Sequence, residues 1–157
     1  MKKGVVIAIV AAIVVSTGLF FAPITPEKKE VEAVDPQTAS LDQKVDEAVL
    51  IIQNADGAPM RGIAILREVL SEDPNHVKAN YWMGEFSWIS GQFDKAVPRF
   101  EKVLEVDPDN VDAAKRLVTV YIQLQQNEKA KSVVETFEKN NPNHEALAEM
   151  NAILDNI

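Results

Sequence analysis

Pro74, Pro108 and Pro142 recur at an interval of 34 residues. Proline locks φ near about −65° and carries no amide hydrogen, so it ends a helix or sits in the turn that follows one. Three such marks in phase mean that one supersecondary unit is repeated, and a unit of this kind buries its apolar face only by stacking on its neighbours. Other residues keep the same register. Gly62, Ala96 and Ala130 share one position, and Leu66, Phe100 and Val134 follow four residues later. The small residue lets two helices approach, and the bulky one, a turn further on, fills the space between them. Each unit is therefore a hairpin of two helices.

The second unit carries the fullest pattern: Gly84 in its first helix, Gly91 at its turn, then Ala96, Phe100 and Val103 ahead of Asp107 and Pro108. In these residues the chain resembles the tetratricopeptide repeat family. Taken in that register the units are 43–76, 77–110 and 111–144, which cover 102 of the 157 residues. The first departs most from the pattern, with Leu50 where the family prefers glycine and Gly62 where it prefers alanine. Gly62 lowers helix propensity by about 1 kcal/mol relative to alanine. Ser40, followed three residues later by Gln43, reads as a capping box, so the domain is expected over 41–157. Ala146, Leu147, Met150, Ile153 and Leu154 lie at amphipathic spacing, so 144–157 supplies a helix to cover the third unit. Helices are expected near 41–54, 59–71, 77–89, 93–106, 111–124, 127–140 and 144–155. The fold class that follows is all-α: a right-handed α-solenoid of helical hairpins with a C-terminal capping helix and one N-terminal transmembrane helix.

That transmembrane helix rests on the first residues. Lys2 and Lys3 precede 19 uncharged residues, 4–22. As a helix they would span roughly 28 Å, against about 30 Å for a hydrocarbon core. The flanking lysines hold the N-terminus in the cytoplasm. Residues 1–22 therefore read as a signal-anchor of a bacterial inner membrane, with the repeats on the periplasmic side. The alternative is a secretory signal cleaved near Gly18, after Ser16 and Thr17, which would free a soluble periplasmic domain. It would also leave Leu19, Phe20 and Phe21 in water at the new terminus, which favours the anchor. Residues 23–40 hold three prolines, mixed charge and no apolar periodicity, and read as a flexible linker.

Charge and composition remove several functions. The chain carries a net −8, and once Lys2 and Lys3 are set aside 24 acidic residues face 14 basic ones. Such a surface repels phosphate backbones, and no basic stripe offsets it, so nucleic-acid binding is excluded. With no cysteine there is no disulfide, thiolate metal site or thiol nucleophile. His76 and His144 lie two repeat lengths apart in equivalent turns, where they punctuate the chain and do not pair around a metal. There is no glycine-rich phosphate loop and no nucleophile elbow. No catalytic residue, metal or cofactor is expected, and the chain reads as a non-enzyme.

The resemblance implies that the first helices of successive units line a binding groove. Its positions are Lys44, Glu47, Ile51 and Asn54, then Lys78, Tyr81, Glu85 and Trp88, then Asp112, Lys115, Thr119 and Ile122. Six of the ten aromatic residues fall in the second unit, and Tyr81, Glu85 and Trp88 share a stripe. Tyrosine and tryptophan are frequent interface anchors. Phe86, Phe93 and Phe100 are assigned to the core, and Trp82 fits either role. Some members of the family grip the C-terminal carboxylate of chaperones with a lysine, asparagine and arginine clamp. Here Glu47, Ile51, Trp82 and Asp112 stand at clamp positions and Arg116 is the only basic match. Glu47 and Asp112 would repel an acidic tail, so a neutral or basic, partly apolar segment is expected. The expected function is a membrane-anchored adaptor or assembly factor that holds a partner protein. The alternatives are a self-associating, homo-oligomeric element of the envelope, and a small-molecule binder or enzyme.

Overall fold

The computed structural model describes residues 36–54 and 59–155. The anchor expected at 1–22, the linker as far as residue 35 and the turn at Gly57 lie outside them. Seven helices follow one another: α1 (Pro36–Gln53), α2 (Pro59–Glu72), α3 (Val77–Ile89), α4 (Phe93–Val106), α5 (Val111–Gln123), α6 (Asn127–Asn140) and α7 (Ala146–Leu154). Among the described residues there is no strand, and no helix is long and apolar enough to cross a membrane.

From α2 to α6 the helices fall within a residue of the expected bounds, but both ends differ. α1 begins at Pro36 and not at 41, so Ser40 is an exposed residue inside the helix instead of its cap. The physical reason is that proline suits the first position of a helix, where its fixed φ is already helical and its missing N–H would have had no partner. α7 starts at Ala146 and not at 144, because His144 is drawn into the preceding turn, where its Nδ1 accepts the Ala146 N–H at 3.1 Å.

The interval of 34 residues is reproduced bond for bond. The amide of Asp73 donates to the Val69 carbonyl, that of Asp107 to Val103 and that of Asn141 to Phe137, each at 2.8 Å. Three residues on, His76, Asn110 and His144 donate back to Asp73, Asp107 and Asn141, each at 3.2 Å. The same three residues then turn their side chains to the next helix. His76 Nδ1 accepts the Ala79 amide and caps α3, and Asn110 Oδ1 accepts the Ala113 amide and caps α5. His76 and Asn110 are thus caps at one register position, where a side-chain acceptor satisfies an amide left open by the helix start, and His144 accepts the first amide of the last helix from the equivalent turn. Within the hairpins, Gln92 donates to Ser87 and Gln126 to Tyr121, each at 2.8 Å, across turns that put Gly91 at φ +70° and Gln125 at φ +57°.

The buried apolar side chains form two clusters. The first joins Leu41, Val45, Ala48 and Val49 of α1 to Leu66 and Val69 of α2 and Ala79 of α3, with Trp82 and Met83 packed against it. The second runs from Ala96, Phe100 and Val103 of α4 through α5 and α6 to Leu147 and Met150 of α7. Tyr81 and Trp88 of α3 pack against that second cluster. α3 therefore gives side chains to both, and Trp82 is half-buried against the first. Phe86, expected in the core, is only half-buried. One polar side chain is enclosed beside α3. Asn80 Nδ2 donates to the carbonyls of Pro74 and His76, and its Oδ1 accepts from Arg99 of α4. With donors and acceptor both used, its burial is not penalised.

Two glycines set how closely the helices of a hairpin approach. A Cβ on Gly62 would meet the Ala48 carbonyl oxygen at 2.5 Å and Ile52 Cγ1 at 2.5 Å. A Cβ on Gly84 would meet the ring of fully buried Phe100 at 2.7 Å. Gly62 is therefore no weak point in a helix, as its propensity alone implied; α1 lies where any side chain would be. We predict that Gly62→Ala, which gains about 1 kcal/mol in helix propensity, nonetheless destabilises the domain by about 1–3 kcal/mol through overpacking. A denaturant midpoint that rises on this substitution would show that α1 and α2 are free to move apart.

Candidate functional site

The odd-numbered helices form one face of the array and carry the expected groove positions. α1 touches α3 and α5 touches α7, and Arg116 of α5 reaches across to α3. Its Nε lies 2.5 Å from Glu85 Oε1, and its guanidinium lies over the Trp88 ring, 4.2 Å from the ring centre. The planar guanidinium can pair with a carboxylate at its edge while stacking on an indole with its face, which an ammonium cannot do.

Glu85 is 6% exposed. Burial pushes its carboxyl upward, Arg116 opposes that, and the Asp112 carboxylate adds to it. Burial also raises the Tyr81 phenol, with the Glu85 and Asp112 charges acting in the same direction and Arg116 against them. Glu85 and Tyr81 therefore both interact with Arg116, and Asp112 stands beside them. A cleft of about 290 Å³ opens beside them, bounded by Tyr81, Asp112, Arg116 and Thr119 and, from α7, Glu149 and Ile153. A second of about 210 Å³ shares Tyr81 and Asp112 and reaches Val77 and Lys78.

The groove residues inferred from the sequence do not all meet. Tyr81, Asp112, Lys115 and Thr119 line the first cleft, with Thr119 Oγ1 donating to the Lys115 carbonyl at 2.9 Å. Trp88 and Ile122 are half-buried against the second apolar cluster. Lys78 reaches back to Asp46 of α1 at 2.7 Å. Ile51 of α1 is half-buried, and Asn54, just past the end of that helix, is exposed. Lys44 turns toward its own hairpin, where it pairs with Glu68 at 3.0 Å and Glu72 at 2.7 Å on α2, and Glu47 faces Arg61 there. The first unit thus spends its long charged groove positions inside the hairpin. Glu149 and Ile153 were missed, because residues 144–157 were read only as a cover. Their signal was present: Lys115 and Glu149 pair at 2.7 Å and stand 34 residues apart, so α7 continues the register as the first helix of a further unit.

The opposite face holds a more apolar groove of about 360 Å³ between α4 and α6, with Leu104, Pro108, Val133 and Phe137 in its walls. Beneath it the Tyr121 hydroxyl donates to Glu101 Oε1 at 2.5 Å. Among the described residues no group of three or more His, Asp or Glu side chains is placed to hold a metal ion.

The ion pair has a measurable signature. Because Glu85 holds its proton more tightly folded than unfolded, its contribution to stability is fullest below the unfolded carboxyl range and declines as pH rises through that range toward the folded value. Glu85→Gln is predicted to remove that declining component from a stability–pH profile. Arg116→Met strands the buried carboxylate and is predicted to cost about 3 kcal/mol at pH 7 while steepening the decline. Identical profiles for all three proteins would show that Glu85 is solvated.

Comparison with known proteins agrees with this geometry. Residues 87–154 match the tetratricopeptide repeat family. Protein CTR9 homolog of Arabidopsis thaliana is 38% identical over 73 residues, which is 46% of this chain and 7% of that protein. The chain thus spans only a small part of that curated relative. A tetratricopeptide repeat protein from Parabacteroides merdae superposes with a TM-score of 0.63 at 18% identity, over 79% of this chain and 47% of the other. The first such domain of Spaghetti (RPAP3), solved bound to the HSP90 peptide SRMEEVD, gives a TM-score of 0.58 at 18% identity, over 78% of this chain and 95% of that one. From the matched residues, the bonds repeated every 34 positions and the shared architecture, the helical domain has the fold of a tetratricopeptide-repeat array, with the family's pattern matched over residues 87–154.

Proposed function

We propose that this chain is a membrane-anchored interaction adaptor or assembly factor that holds an extended segment of a partner protein along the face formed by α3, α5 and α7. The observation that carries the reading is the continuous line of side chains on that face. Tyr81, Trp88 and Ile122 offer half-buried apolar surface, and a cleft opens directly beside Tyr81. Half-buried aromatic side chains next to a concavity are what a binding segment can finish burying, and such anchors dominate interface energetics. Membrane attachment rests on the apolar stretch 4–22 behind Lys2 and Lys3.

The charge on this face speaks against an acidic ligand. Arg116 is already paired with Glu85, and Asp112 stands beside it. The peptide held by the RPAP3 domain contains two glutamates and ends in aspartate. A segment of that kind would meet Asp112 here with no free arginine to offset the repulsion. The partner segment is therefore neutral or basic, with apolar side chains for Trp88 and Ile122.

A photoreactive amino acid at Thr119, on the floor of the cleft, is expected to give a discrete adduct with a partner protein in cells, whereas the same group at exposed Ser132, on the α4 and α6 face, is expected to give none. Adducts from Ser132 alone would move the binding surface to the other side of the array.

A further inference from the structure

The face that carries the proposed groove is rich in cations by sequence, yet each is consumed within the chain. Lys44 pairs with Glu68 and Glu72, Lys78 with Asp46, Lys115 with Glu149 and Arg116 with Glu85. Asp112 is exposed, lines both clefts, and has no ion-pair partner among the described residues. Its place in the first turn of α5 suits the helix dipole, which alone would explain an acidic side chain there. The dipole does not explain the neighbourhood. Tyr81 closes both clefts beside Asp112, and the one arginine within reach is already bound edge-on by Glu85 and face-on by Trp88. The space between Tyr81 and Asp112 is thus an aromatic wall and an uncompensated carboxylate around a cavity open to solvent.

We infer that this space is a subsite for one lysine or arginine side chain of the partner segment, with Asp112 taking the charge and Tyr81 flanking the stem. The inference rests on the reading of this face as the partner groove and adds to it a charge, a position and a spacing. A cation there gains a carboxylate that no internal group neutralises, and an aromatic ring suits both the charge and the methylene stem. Lys78, in the wall of the smaller cleft, and Lys115, in the wall of the larger, are the internal competitors, but Asp46 of α1 holds the first at 2.7 Å and Glu149 of α7 the second at 2.7 Å.

The spacing follows from helix geometry. Tyr81 and Trp88 are seven residues apart on α3, a rise of about 10 Å at 1.5 Å per residue. An extended segment covers that distance in about three residues. The partner segment should therefore place a basic residue about three positions from an aliphatic or aromatic one, the first at Tyr81 and Asp112 and the second against Trp88 and Ile122.

The test is selection of a random dodecapeptide library on the immobilised full-length chain, followed by titration of the winners against variants. The expected result is enrichment of lysine or arginine three positions from a bulky apolar residue. Binding should fall at least tenfold with Asp112→Asn, and Asp112→Lys should shift a fresh selection toward acidic peptides. Winners that lose affinity with Trp88→Ala but are indifferent to Asp112→Asn would overturn the subsite and leave the groove standing. Winners indifferent to both, or a selection that yields none, would count against the groove as well. Circular dichroism melts of each variant separate lost binding from lost folding, and Trp88→Phe, which keeps a ring beneath Arg116, should retain most of the binding that Trp88→Ala loses.

Discussion

The rest of this structure depends on α3 being shared between two apolar clusters. A helical hairpin of this length cannot bury its apolar stripe alone, so each unit needs a neighbour, and α3 is where the two apolar clusters meet. Ala79, Trp82 and Met83 serve the first cluster, while Tyr81 and Trp88 serve the second. Gly84 lies against the Phe100 ring in between. A helix so placed buries polar residues too, and these must be satisfied within the protein. Asn80 does this by hydrogen bonds to the preceding turn and to Arg99, and Glu85 by its ion pair with Arg116.

That second solution has consequences beyond α3. Arg116 crosses from α5 and ties it to α3 through Glu85 and Trp88. Arg116 is thereby used within the array, while Asp112, in the wall of the cleft beside it, has no ion-pair partner among the described residues. Arginine is required because it pairs with a carboxylate while stacking on Trp88, and lysine would meet only the first demand.

Much of this was legible in the sequence. Pro74, Pro108 and Pro142 gave the period, and five of the seven helices lie within a residue of the bounds that follow from it. Periodicity reports which side of a helix faces the core, and it does so well. It does not report how far a long side chain reaches or toward which neighbour. Lys44 was placed in the groove by register and turns instead to Glu68 and Glu72. The Glu85–Arg116 pair joins residues on different helices, and no local rule links them. Gly62 looked like a loss of helix propensity because the backbone oxygen of Ala48 that excludes a side chain comes from another helix. Pro36 was grouped with the linker because prolines signal both spacers and helix starts, and composition favours the first reading. Glu149 was visible in principle, standing 34 residues after Lys115, but the last helix had been treated as a lid and not as a continuation of the register.

The central claim is that α3 is shared by both clusters, so that neither opens without exposing it. Native-state amide hydrogen exchange across a denaturant series measures this directly. Amides of α3 should be among the most protected in the chain, exchanging only through openings that release both the α1–α2 hairpin and the α4–α6 region. Exchange of α3 through a smaller opening, with protection retained in α5 and α6, would contradict the account.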